Sequence, residues 1–175
     1  HDGFGLSLGV TTPTWQTLNA TARIQRGRGG IFPEGSRGYE TRVTASLSIR
    51  PSGSIRLTAS NTWSRITRDR DGSEFARTII PRLKLEYQAS RSLFFRIVSE
   101  YIAERRAGLA DARTGAVILV NGTPSTGRES NRMRMDWLAS FEPSPGTVEF
   151  FGYGTSLDDT RAFGFRDVRR TNDGF

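Results

Sequence analysis

Apolar and polar residues alternate one for one through most of this chain. Between Arg42 and Arg50, Val43, Ala45, Leu47 and Ile49 interleave with Thr44, Ser46 and Ser48. Helical geometry would scatter these apolar residues around the axis, whereas a strand sets them on one face. Leu83, Leu85 and Tyr87 interleave with Arg82, Lys84, Glu86 and Gln88. Met133, Met135, Trp137, Ala139 and Phe141 interleave with Arg132, Arg134, Asp136, Ser140 and Glu142, with Leu138 as the exception. Ile55, Leu57, Ala59 and Trp63 form another row, broken at Asn61. Leu18, Ala20, Ala22 and Ile24 form a weaker one, and Leu93, Phe95, Ile97 and Tyr101 one blurred by Phe94 and Val98. The pattern predicts eight strands, at about 4–11, 15–26, 38–50, 54–67, 76–89, 92–105, 130–142 and 146–157, and no helix of convincing length.

The connections add an asymmetry. Short turns are expected at Thr12-Pro13-Thr14, Pro51-Ser52-Gly53, Ala89-Ser90-Arg91 and Pro143-Ser144-Pro145-Gly146. Between them lie polar, Gly- and Arg-rich loops at about 27–37, 68–75, 106–129 and 158–174. In an up-and-down antiparallel sheet, alternate connections share an edge. One edge would therefore hold tight turns and the other long loops, as in transmembrane barrels. Expected strands of about 12 residues exceed the usual five or six and suffice to cross a bilayer.

Two folds satisfy this pattern. A soluble sandwich would turn the apolar face to a core and the arginines to water. A membrane barrel would turn the apolar face to lipid and the arginines to a wet lumen. Strand length, loop asymmetry and aromatics near strand ends (Trp15, Trp63, Tyr87, Tyr101, Phe141, Phe151, Tyr153) favour the barrel.

Composition excludes several chemistries. The 175 residues contain no cysteine, so neither a disulfide framework nor a thiolate metal site is available. His1 is the single histidine, which excludes histidine triads and His-rich zinc sites. Catalytic, cofactor and metal residues are accordingly expected to be absent. The longest apolar run, from Ala116 to Val120, is far below the roughly 20 residues of a membrane helix. The net charge of +7 comes almost wholly from arginine, Lys84 being the one lysine. His1 is expected to be a fragment end.

Several local motifs follow one another in order. They are Phe32-Pro33-Glu34-Gly35, Ile49-Arg50-Pro51-Ser52 and the hairpin from Leu85 to Arg96. Trp137 before Pro145-Gly146-Thr147, Phe150-Phe151-Gly152-Tyr153-Gly154 and Arg169-Arg170-Thr171-Asn172-Asp173-Gly174-Phe175 complete the set. From about Gly30 to Phe175 the chain resembles the C-terminal β-barrel domain, of unknown function, of a family of large Gram-negative outer-membrane proteins. In that family an N-terminal sandwich similar to family-nine carbohydrate-binding modules precedes the barrel. The resemblance implies an incomplete antiparallel up-and-down transmembrane β-barrel in the bacterial outer membrane, spanning 1–175 as part of one domain. Its implied partners are outer-membrane lipid and lipopolysaccharide, the barrel-assembly machinery, and carbohydrate through the N-terminal module. It also implies a closing strand after Phe175. No carbohydrate-binding or catalytic residue carries over.

The candidate functional residues are the charges expected to face the lumen: Arg42, Arg56, Arg82, Lys84, Glu86, Arg96, Glu100, Arg132, Arg134 and Asp136. Rings of arginine favour anions in a pore. A wide barrel also needs a polar, mutually paired interior, and the acids lie near enough in register to pair many arginines. Asp69-Arg70-Asp71-Gly72-Ser73-Glu74 resembles part of a calcium loop, but it lacks the spacing of an EF-hand and predicts a turn. Asp158-Asp159 is treated likewise. Gly27-Arg28-Gly29-Gly30 lacks the following helix of a phosphate cradle and predicts a mobile loop. The clusters Arg65/Arg68/Arg70, Arg105/Arg106 and Arg166/Arg169/Arg170 fall on the long-loop side. A rim touching lipopolysaccharide accounts for them without nucleic acid. The sequons at Asn19 and Asn121 are expected to be chance.

The expected role is that of a non-enzymatic barrel in a larger envelope protein, an anchor or a conduit for a polar or carbohydrate-related solute. The alternative is a soluble extracellular sandwich or adhesin module binding glycans or anionic surfaces.

Overall fold

A computed structural model describes residues 5–13, 15–159 and 169–174. The chain forms β1 (Gly5–Thr11), β2 (Leu18–Ile31), β3 (Ser36–Ser52), β4 (Ile55–Arg68), β5 (Glu74–Gln88) and β6 (Leu93–Arg106). After them come a minor pair, β7 (Leu119–Val120) and β8 (Thr123–Pro124), then β9 (Arg128–Ser144), β10 (Thr147–Asp159) and β11 (Arg169–Gly174). Nine strands make one antiparallel sheet in the order β1-β2-β3-β4-β5-β6-β9-β10-β11. The all-β, up-and-down architecture expected from the alternation is present.

Register follows from the alternation. Leu18, Ile49, Leu57, Leu85, Ile97, Trp137 and Tyr153 stand opposite one another across seven strands. A slip of one residue at any pair would move a whole apolar set to the other face, so the pattern itself selects the pairing.

The sheet is not closed, as expected of an incomplete barrel: among the described residues β1 pairs only with β2, and β11 only with β10. Three expectations are corrected. The sheet has nine strands rather than eight, because Arg169–Gly174, assigned to the last loop, pairs with β10. The segment Gly27-Arg28-Gly29-Gly30 is not a loop but the end of β2, paired residue for residue with Arg37–Glu40 of β3. Glycine weakens a strand but leaves its ladder bonds intact, and β3 supplies them. As a result the connections at 32–35 and 69–73 are as tight as those at the other edge, and the short-and-long alternation largely disappears. Only the 107–127 connection is long among those fully described, and even that is ordered. Ala110 bridges Val117, and β7 and β8 close over Asn121-Gly122, whose φ values of 52° and 78° suit a tight hairpin turn. The expected extent of the turn at Thr14 and of the loop at 160–168 lies outside the described residues.

The interior is minimal. Among the described residues only Ile31, Phe75 and Ala103 are apolar and buried. Leu83, Ile97 and Trp137, in the middle of the apolar rows, remain 47%, 44% and 44% exposed. Apart from the β7–β8 pair no second sheet is present among the described residues, so the layer a sandwich would place over this face is absent.

Candidate functional site

All ten charged candidates occupy the face opposite the apolar rows. The register aligns Arg56, Glu86 and Arg96 across β4, β5 and β6. A second row runs Ser60, Arg82, Glu100, Arg134 and Ser156. Two residues further along, Lys84, Val98 and Asp136 align. Arg82, Lys84, Arg96, Glu100, Arg132, Arg134 and Asp136, from three neighbouring strands, line one open cavity of about 940 Å³. Arg56 and Glu86 line a second, of about 700 Å³, at the edge nearest Pro51-Ser52-Gly53. Arg42 borders neither.

Charge is distributed unevenly over this face. On β2 to β4 it carries mainly hydroxyls and amides, such as Asn19, Thr21, Ser46, Ser48, Thr58 and Ser60. On β5, β6 and β9 it carries more charges of both signs, while arginine itself is spread over both halves, Arg23, Arg42, Arg56 and Arg68 standing on β2 to β4.

Pairing is partial. Arg42 meets Glu40 at 2.7 Å, Lys84 meets Glu86 at 3.1 Å, and Arg56 lies 3.9 Å from the same Glu86. Arg134 meets Asp136 at 2.9 Å and Arg132 meets Asp158 at 2.7 Å. Sequence reasoning placed Asp158 in the last loop and missed it as a partner, because β10 runs to Asp159, two residues beyond the expected 146–157. Glu100 stands opposite both Arg82 and Arg134 in register. Among the described residues, however, no ion pair within 4.0 Å reaches Arg82, Arg96 or Glu100. Neighbouring register is therefore not sufficient for pairing: Arg134 turns along its own strand to Asp136 instead.

The sequence clusters of arginine are divided by the strands that hold them. Arg68 and Arg106 lie toward the charged face. Arg65 and Arg105 lie on the apolar side, two residues beyond Trp63 and Ala103. The tightest polar cluster went unrecognised in the sequence. Arg68 Nη2 donates to Glu34 Oε1 at 2.5 Å, and its Nε donates to Glu34 Oε2 at 2.9 Å. Arg68 also donates to the Gly108 carbonyl, and Ala110 N–H donates to Glu34. Both side chains are buried, at 6% and 8% exposure. This pair joins the turn at 32–35, the end of β4 and the long connection. Its one sequence signal is a glutamate in a turn closed by Gly35, whose φ of 58° is left-handed.

Asp71 is occupied within its own turn, where its carboxylate accepts from Ser73 N–H, Ser73 Oγ and the Arg70 guanidinium. Those bonds hold it well below the usual carboxylate range, Ser73 contributing most. Arg166 lies outside the described residues. No protein-family model, curated protein or solved structure matches the chain.

Proposed function

We propose that this sheet is part of the wall of an outer-membrane β-barrel, with its apolar rows against lipid and its charged rows lining a water-filled conduit that favours anionic or strongly polar solutes. The observation that carries this reading is the uncovered apolar face. Strands of 13 to 17 residues present it with almost nothing packed against it. Contiguous apolar surface of that extent marks a membrane or protein contact.

The dimensions support lipid. The row Ile55, Tyr87, Phe95, Ala139, Phe151 is rich in aromatics at one end, and Trp63, Ile79 and Ala103 sit near the other. Beyond them stand Arg65, Arg77 and Arg105. The apolar row of β5 runs from Ile79 to Tyr87, with Arg77 just outside it. At the usual strand rise the row is about 26 Å long, or about 20 Å along the normal at a tilt near 40°, and Arg77 lies about 25 Å from Tyr87 along the normal, close to the height of the apolar band in such barrels. The anion preference rests on the cavity, where five basic residues face two acidic ones and Arg82 and Arg96 have no ion-pair partner within reach among the described residues.

With both sheet edges paired, the protein should need detergent or lipid to stay monomeric and should migrate differently on gels before and after heating. Cooperative melting of a monomer in detergent-free water would replace the barrel by a soluble module. In planar bilayers the reversal potential under a salt gradient should indicate anion preference, and Arg82→Glu with Arg96→Glu should shift it toward cations.

A further inference from the structure

Beyond the apolar face, at the edge that holds the 107–127 connection, the sheet carries a second cationic feature that the conduit does not use. Arg26, Thr41, Arg65, Arg77, Arg105 and Glu129 stand opposite one another across six strands, on the same side as Ile24, Val43, Trp63, Ile79 and Ala103. Three consecutive members are arginines. Like charges set directly opposite on a sheet repel, so folding gains nothing from this order. Glu74 is shared between Arg65 at 2.8 Å and Arg77 at 2.6 Å, and Glu129 meets Arg105 at 3.0 Å. Two carboxylates thus serve three guanidinium groups. Arg106, which turns toward the charged face with its guanidinium 5.6 Å from the Phe75 ring, borders the same place from the sheet's end. All four arginines and both glutamates line one open cavity of about 680 Å³.

We propose that this cavity binds a phosphate monoester, and that the phosphate is borne on the headgroup of a membrane lipid. Guanidinium groups hold phosphate oxygens in pairs, and a dianion would relieve the repulsion along the row. Position selects the source. The row begins two residues beyond the last apolar one, where headgroups of a bilayer covering that face would lie. The lipid assignment rests on the barrel reading, whereas the anion site does not.

Binding of the detergent-purified protein is to be measured to phosphatidylcholine vesicles alone, to vesicles with added phosphatidic acid, a monoester, and to vesicles with phosphatidylglycerol, a diester. Inorganic phosphate serves as the free-anion arm. Insertion into pure phosphatidylcholine is scored separately by protease protection, so that a failure of the barrel reading shows there and nowhere else. Phosphatidic acid should strengthen binding more than phosphatidylglycerol. Arg77→Gln and Arg105→Gln should each weaken the phosphatidic acid response about five-fold. Arg77→Lys keeps the charge without the paired donors and should weaken the response less than Arg77→Gln, which separates charge from misfolding. Arg23→Gln, on the other face and outside the conduit cavity, should leave it unchanged. Equal responses of wild type and the Gln variants, or an equal loss with Arg23→Gln, would overturn the site. Inorganic phosphate binding as tightly as the lipid would overturn the lipid source.

Discussion

At the scale of single residues, the Glu34–Arg68 pair is the strongest local restraint. Burial pushes the Glu34 carboxyl up, but the hydrogen bonds from Arg68 and from Ala110 N–H outweigh it and hold the group below its ordinary value. A depressed carboxylate stabilises the fold fully above its unfolded pKa of about 4.3, and that contribution is lost as pH falls through the lower folded-state value. The protection of the Ala110 amide against hydrogen exchange should therefore drop below about pH 4, while amides at the middle of β4 keep theirs. Glu34→Gln leaves Arg68 buried without its counter-charge and should cost about 3 kcal/mol in denaturant titrations in lipid vesicles. A loss under about 0.5 kcal/mol would show that Gly108 and Ser73 suffice to hold the guanidinium. On the apolar face, Ala59 lies in the middle row with Leu47 and Leu83. Ala59→Arg should cost about 2–4 kcal/mol in the same titration, and its neighbour Ser60→Arg much less. Equal losses would count against the assignment of faces.

At the scale of elements, the end of the sheet near the 107–127 connection is built more firmly than its glycine content suggests. Gly38 faces the end of β4, and a Cβ there would lie 2.6 Å from the Thr67 carbonyl and 2.9 Å from Ile31 Cδ1. Gly38→Val should therefore destabilise the β2–β3 extension by about 1–3 kcal/mol, visible as selective proteolysis between Gly27 and Thr41. The 107–127 connection is fastened by backbone bonds such as Ile118 N–H to Leu109 O and by the Asp111 cap on Thr114. Its tip at Asn121-Gly122 stays exposed. A small tag inserted at Gly122 should be reached by antibody on intact cells, and one at Gly53 should not. Detection at Gly53 alone would reverse the orientation.

At the scale of the whole molecule, the decisive property is that, among the described residues, the sheet has two unpaired edges, β1 and β11. An edge within hydrocarbon leaves backbone groups unpaired at several kcal/mol each, so a stable inserted form needs partners for β1 and β11. Residues 1–175 expressed alone should aggregate, or stay protease-sensitive in detergent. Extension by further amphipathic strands at both ends should yield a protease-resistant, heat-modifiable band. A soluble monomer from residues 1–175 would remove the barrel reading.

Much of this arrangement was legible in the sequence. The alternation from Val43 to Ile49 and from Met133 to Phe141 determined strand type, face and register, because side-chain direction in a strand depends only on parity. Parity also assigned all ten charged candidates to one face. It could not assign partners. Whether Arg134 meets Glu100 across the sheet or Asp136 along its own strand depends on side-chain rotamers, which the neighbouring strands decide. Nor could it place Glu34 against Arg68, 34 residues away, since that contact exists only once a turn and two strand ends are brought together. The Gly27–Ile31 extension was hidden for a related reason. Glycine has no side chain to mark a face, so only the paired backbone of β3 makes that segment a strand.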